Sequence, residues 1–161
     1  MSDRYIDFVN SPLGQMLAKN LGLPAPLALD RFDAAAPVVK GGVLVGAAAG
    51  SDLTAAITQV LANIKAEVLA AADSSVHGLA SAAGLATVAY TPNAEDRQKF
   101  KALVFDASGI RRSDDLIALH SFFSPVIRKL ANSARIIVIG RTPELCDDPK
   151  YATAQRALEG F

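Results

Sequence analysis

The chain has 161 residues, 51% of them apolar, and its sixteen basic residues balance sixteen acidic ones. That length and apolar content suit one domain with a core of ordinary size. The even charge balance lacks the clustered Lys and Arg excess of a nucleic-acid binder, and the lone Cys146 leaves no partner for an intrachain disulfide, as expected in a reducing cytoplasm.

The opening MSDRYIDFVNSPLG carries early acids and no apolar run, unlike a signal peptide, and no stretch reads as a bilayer span. Residues 1–37 are expected to form a helical extension and connector, and residues 38–161 the main domain. Ser11-Pro12 predicts a helix start, with Ser as the cap and Pro in the first turn. Leu13, Met16, Leu17 and Leu21 recur at helical spacing, and Gly22 stops the pattern. Pro24, Pro26 and Pro37 then punctuate an irregular connector.

From residue 42 the pattern alternates. Gly42 to Gly46 is a short apolar run ending in glycine, expected as a buried strand. A helix follows over 52–63, with Leu53, Ile57, Val60, Leu61 and Ile64 on one face. Residues 66–71 read as a strand or a helix, and the stretch to Gly84 is uninformative. Residues 86–90 predict a strand before the Thr91-Pro92-Asn93 turn. Residues 101–106 (KALVFD) predict a buried strand. Residues 113–132 predict the strongest helix, with Ser113 as cap, Asp114 and Asp115 at its positive end, Arg128 and Lys129 at its negative end, and Pro125 as a kink. Residues 135–139 (RIIVI) predict another buried strand. Residues 149–161 read as the opening of a helix without a stop signal, so the domain is expected to be cut at its C-terminal end.

Short, wholly apolar strands alternating with helices imply a parallel sheet covered on both faces. The expected fold class is therefore α/β, a doubly wound, three-layer sandwich of Rossmann or flavodoxin type. Such sheets bind ligands at the carboxyl ends of their strands. Three strand ends carry the chemistry. After the first, Gly46 and Gly50 sit where a glycine turn lets the backbone approach a pyrophosphate at a helix N-terminus. Asp52 in that loop repels phosphate, and a plain tight turn with Asp52 favoured by the helix dipole is the competing reading. Asp73 lies at the distance of a ribose-binding acid, and a solvated loop acid is the favoured reading. After the second, Asp106 either leans over a nucleotide or forms a turn. The third runs from Ile139 through Arg141 and Thr142 to Tyr151 and Gln155. His77 and His120 have no ligand pattern around them, so no metal is expected. Cys146 precedes Asp147 and Asp148, an acidic setting that disfavours a reactive thiolate.

Several segments carry a resemblance. LVFDASGI resembles the LVNNAGI segment of short-chain reductases, RIIVIGR their serine-bearing strand, YATAQRALEGF their tyrosine helix, and GAAAGSD their glycine loop. NSPLGQMLAKNLGLP, LVFDASGI, FFSPVIRKL and AQRALEGF together resemble the N-terminal domain of high-molecular-weight 3-oxoacyl-acyl-carrier-protein reductases. In that family a degenerate, flavodoxin-like domain precedes a complete ketoreductase domain.

The resemblance implies a parent oxidoreductase that reduces 3-oxoacyl thioesters with NADH or NADPH in cytoplasmic fatty-acid metabolism. It also implies packing of this chain on its own C-terminal catalytic domain, within a homodimer. The family's catalytic set is a Ser, a Tyr and a Lys four residues after the Tyr; the Lys lowers the Tyr pKa. Carried over by position, Arg141 replaces the Ser, Tyr151 remains, and Gln155 replaces the Lys. Asp52 replaces the last loop glycine, leaving Gly46 and Gly50. Groups that act as a unit lose most of their effect together. No catalytic site and no cofactor are therefore expected in this chain, with Tyr151 vestigial and Gly46 and Gly50 degenerate. The alternative reading is a nucleotide-binding regulatory domain without catalysis.

Overall fold

The computed structural model describes residues 4–22, 29–31, 33–93 and 97–161, without the side chains of Tyr5 and Ile6. Pro24 and Pro26 of the expected connector lie outside the described residues. The chain divides into two compact units, residues 1–32 and 33–161.

The first unit holds α1 (Arg4–Val9) and α2 (Pro12–Leu21). The start and stop of α2 follow its sequence signals. Ser11 Oγ accepts from the Gly14 N–H at 3.1 Å, Pro12 occupies the first turn, and Gly22 takes the left-handed conformation at the end. The small residues Gly14 and Ala18 are buried, whereas Leu13, Met16, Leu17 and Leu21 are exposed. The apolar stripe read from the spacing is therefore an outward face.

The second unit is built on five parallel strands: β1 (Gly42–Ala47), β2 (Val68–Ala70), β3 (Thr87–Ala89), β4 (Phe100–Asp106) and β5 (Leu130–Ile139). Their order across the sheet is β3-β2-β1-β4-β5. That is a doubly wound order of the Rossmann type, which changes direction between β1 and β4. Parallel neighbours require crossover connections, and helices supply them. The crossover helices are α3 (Thr54–Asn63), α4 (Val76–Ala82) and α5 (Ile117–Phe123), and α6 (Pro149–Ala157) follows the last strand.

Side chains alternate across the sheet, so one strand feeds two cores. Val43 and Val45 of β1 join Val68, Ala70, Ala102 and Val104 beneath Ile57 and Leu61 of α3 and Val76 of α4. Leu44 joins Leu69, Phe100, Leu103 and Phe105 beneath Leu119 and Phe123 of α5 and Ala154 of α6. Phe100 and Leu103 are fully buried, and truncating such a Phe to Ala typically costs about 3–5 kcal/mol.

Three expectations need correction. The helix read over 113–132 is broken. A 3₁₀ turn (Ser113–Leu116) leads into α5, which stops at Phe123; a second 3₁₀ turn (Ile127–Lys129) precedes β5 at Leu130. Pro125 ends the helix rather than kinking it, because it has no N–H to donate and disfavours helical geometry in the residue before it. Second, Ser113 is not the cap. The Asp115 carboxylate accepts from the N–H groups of Arg111 and Arg112 at 3.0 and 2.9 Å. Third, Val60 of α3 is exposed, while Ile57 and Leu61 face the core. The ambiguous segment at 66–71 holds strand β2. The silent Ala-rich stretch holds α4, where His77 bridges Thr87 Oγ1 at 2.6 Å and the Ala71 carbonyl at 2.9 Å. Among the described residues no helix is long and apolar enough to cross a membrane.

Candidate functional site

Because the strands run in parallel, the ends of β1, β4 and β5 converge at one edge of the sheet. Ala47 pairs with Asp106, and Asp106 with Ile139. The ladder continues one step beyond the strands: the Ala48 N–H donates to the Asp106 carbonyl at 2.8 Å, and the Ala107 N–H to the Ile139 carbonyl at 2.7 Å.

The loop after β1 is tied to the loop after β4. The Ser51 hydroxyl donates to the Asp106 carbonyl at 2.9 Å and accepts from the Gly109 N–H at 3.1 Å. Ser108 Oγ accepts from the Asp52 N–H at 3.0 Å. Asp106 anchors both loops from inside. Its carboxylate is fully buried and accepts from Thr54 Oγ1 at 2.7 Å, Ser108 Oγ at 2.6 Å and the Ser108 N–H at 3.0 Å. A buried carboxylate is tolerable only when it is so satisfied. Of the two readings of Asp106, the turn former is the one realised, with the tie to α3 added.

The two loop glycines have separate structural reasons. Gly50 has φ +74°, the left-handed region that favours glycine. Gly46 lies under the Phe122 ring, which would stand 2.5 Å from a Cβ placed there.

Helix α6 brings Tyr151 and Gln155 to the same edge. Asp148 caps the helix, its carboxylate accepting from the Lys150 N–H at 2.7 Å, and Pro149 sits in the first turn. Gln155, four residues after Tyr151, projects on the same helix face. It is 2% exposed, and it uses both ends of its amide. Its NH₂ donates to the carbonyls of Ala107 at 2.9 Å and Ile110 at 2.8 Å. Its oxygen accepts from the Arg141 N–H at 2.6 Å. Tyr151 is 7% exposed, and its hydroxyl donates to the Ser108 carbonyl at 2.6 Å.

Charge around Tyr151 does not make it acidic. Arg111 lies over its ring at 4.2 Å, and the Arg141 and Arg111 cations both favour the tyrosinate. Burial outweighs them and holds the phenol above its ordinary value. The proton is committed to a carbonyl, so the group is poorly suited to donate it near neutral pH. Arg141 forms an exposed ion pair with Asp52, which spans the mouth between the first and third strand ends. The Arg141 guanidinium beside Asp52 holds that carboxyl below the usual carboxylate range. Arg111 pairs with Asp147 at 2.9 Å.

The structure thus brings together Asp52, Asp106, Arg141, Tyr151 and Gln155. Thr142 opens a 3₁₀ turn (Pro143–Leu145), its carbonyl accepting from the Leu145 N–H at 2.9 Å. Asp73 stands apart, at the wall of a cleft of about 590 Å³ between the ends of β1, β2 and α5. Thr54, Ser51 and Arg111 were missed as site residues. Only the hydroxyls at 51 and 54, next to the expected helix start, could have signalled the first two. Among the described residues no group of three or more His, Cys, Asp or Glu side chains is placed to hold a metal. No known family model matches the chain, and no curated protein matches it.

Proposed function

We propose that this chain is a non-catalytic structural module of the short-chain reductase type, packing on a catalytic domain of a 3-oxoacyl-acyl-carrier-protein reductase. The parent enzyme would reduce 3-oxoacyl thioesters with NADH or NADPH, as a cytoplasmic homodimer whose assembly this module assists. One observation carries the reading. Gln155, which by the resemblance takes the position of the family's lysine, has its amide fully used on three backbone groups of the strand-end loops.

A working site needs an ammonium there, to lower the tyrosine pKa. A neutral amide supplies no such charge, and burial moves Tyr151 the other way. By the same resemblance Arg141 replaces the carbonyl-holding serine, and its guanidinium is engaged by Asp52. Asp52 also places a negative charge where a cofactor phosphate would lie. The fold is kept, and the groups that would perform chemistry serve to brace it. The resemblance of the segments quoted above supports the choice of parent.

The test compares a reductase carrying this chain with the same enzyme lacking it, by light scattering, thermal unfolding and rates on 3-oxoacyl thioesters of different chain length. A change in oligomeric state, stability or chain-length preference, with hydride transfer retained, is the expected result. Identity in all three properties overturns the proposal.

A further inference from the structure

Strand β5 ends the sheet on one side, and among the described residues it pairs with β4 alone. The ladder fixes which way its groups point: the Ile139 carbonyl accepts from the Ala107 N–H at 2.7 Å. Backbone groups of an extended strand point alternately to its two sides, so the N–H and C=O of Ile136 and Val138 point away from β4. Among the described residues no backbone group meets them. Side chains flank this row above and below. Ile137 shares the α3 side with Ile139, and Ile136 shares the α5 side with Val138. Ile136 and Ile137 are each 43% exposed.

An apolar edge of this kind is a template for another strand, and proteins guard such edges with lysine, proline or a bulge. Residues 136–139 read Ile-Ile-Val-Ile and carry no such guard; the nearest charges in the chain, Arg135 and Arg141, only flank them. The pattern is also self-complementary. Two copies can pair antiparallel with a twofold axis at Ile137. Ile136 then stands opposite Val138 of the second copy, and the two exchange both backbone hydrogen bonds. The axis repeats that exchange, so every outward group of Ile136 and Val138 is satisfied. Arg135 meets Ile139 of the second copy rather than another arginine, so no like charges oppose each other. At the axis, Ile137 meets Ile137.

We propose that β5 pairs antiparallel with β5 of a second copy of this chain, joining two five-stranded sheets into one. The self-complementary register is what favours a second copy over a strand of another sequence. A strand-edge contact is small, so the pair should form with a Kd of about 1–100 µM. The inference rests on the assembly role proposed above and names its surface. The two remain separable, because the pairing is read on the isolated chain and the assembly role on a reductase with and without it.

The test is sedimentation equilibrium of the 161-residue chain from about 1 µM to about 500 µM. The mass should rise with concentration from 16.8 kDa towards twice that value. Ile137→Lys sets two ammonium groups against each other across the axis and should keep the chain monomeric throughout. A cross-link reads the register directly. In a Cys146→Ser background, Ile137→Cys should give a disulfide-linked dimer on oxidation, because residues opposite each other in a non-hydrogen-bonded pair have Cα atoms about 4.5 Å apart. Ile136→Cys in the same background should not, since its twin lies diagonally across, at about 7–8 Å. The proposal is overturned by a monomer at the highest concentration, by a dimer that Ile137→Lys leaves intact, or by a cross-link that forms as readily from Ile136→Cys as from Ile137→Cys.

Discussion

The side-chain oxygen of Gln155 accepts the backbone N–H of Arg141 at 2.6 Å, joining the last helix to the end of the last strand. The same amide holds two carbonyls of the β4 loop. Replacing Gln155 with Leu would leave three backbone groups without these partners. Each buried orphan costs about 1–3 kcal/mol, so Gln155→Leu should lower unfolding stability by about 3 kcal/mol or more. Gln155→Lys should also destabilise, because an ammonium cannot accept from Arg141 and would be charged in a buried position. Urea unfolding followed by circular dichroism measures both, at unchanged m-value.

Tyr151→Phe removes one donor and leaves the Ser108 carbonyl without it, at a cost of about 1–2 kcal/mol. The pH dependence is the sharper signature. Burial raises the folded-state pKa of Tyr151 above its ordinary 10.0. The folded state therefore holds the proton more tightly than the unfolded chain. This contribution is fully present below pH 10 and is lost as pH rises through the folded value. The parent protein should lose stability above pH 10 more steeply than Tyr151→Phe in paired alkaline unfolding series.

The Asp52–Arg141 pair behaves in the opposite sense. Arg141 lowers the folded-state pKa of Asp52 below 3.8. Its contribution is present above pH 3.8 and is lost as pH falls through the folded value. Both partners are exposed, so the effect is small and screened by salt. Asp52→Asn should flatten the acid limb of the stability curve below about pH 4, and high salt should shrink the difference between the two proteins.

Asp106 and Thr54 couple β4 to the start of α3 inside the protein. Thr54→Val should cost about 1–2 kcal/mol, and Asp106→Ala more, because it also frees Ser108. A double-mutant cycle should return a coupling of about 1 kcal/mol or more, the range found for residues in one hydrogen-bond network. A coupling near zero would mean that the two side chains do not act together.

The central strands β1 and β4 were legible in the sequence because they are buried and read as apolar runs; the edge strand β5, expected to be buried, is apolar but leaves Ile136 and Ile137 exposed. Residues 42–46, 101–106 and 135–139 each fall within an observed strand. Strand order is a property of long-range pairing that no local pattern encodes. The helix ends were clear where a cap and a proline coincide, as at Ser11-Pro12 and Asp148-Pro149. They failed at 113–132, where i, i+3 and i+4 spacing across Pro125 imitates one helix. Helix α4 is short and Ala-rich, with no contrast between faces to reveal it. At the site, Arg141, Tyr151 and Gln155 were singled out, and they do meet. What the sequence could not show is their shared use in hydrogen bonding loop backbone. A glutamine amide has no spacing signature for its partners, and Asp106 looked the same as any turn acid until Thr54 was placed beside it.

The central claim is that Tyr151 and Gln155 brace the fold and perform no hydride chemistry. The most direct measurement follows NADPH oxidation by the 161-residue chain with a short 3-oxoacyl thioester, for the unsubstituted chain and for Tyr151→Phe. The account predicts no turnover above the enzyme-free rate in either protein. Turnover by the unsubstituted 161-residue chain that disappears in Tyr151→Phe would contradict it.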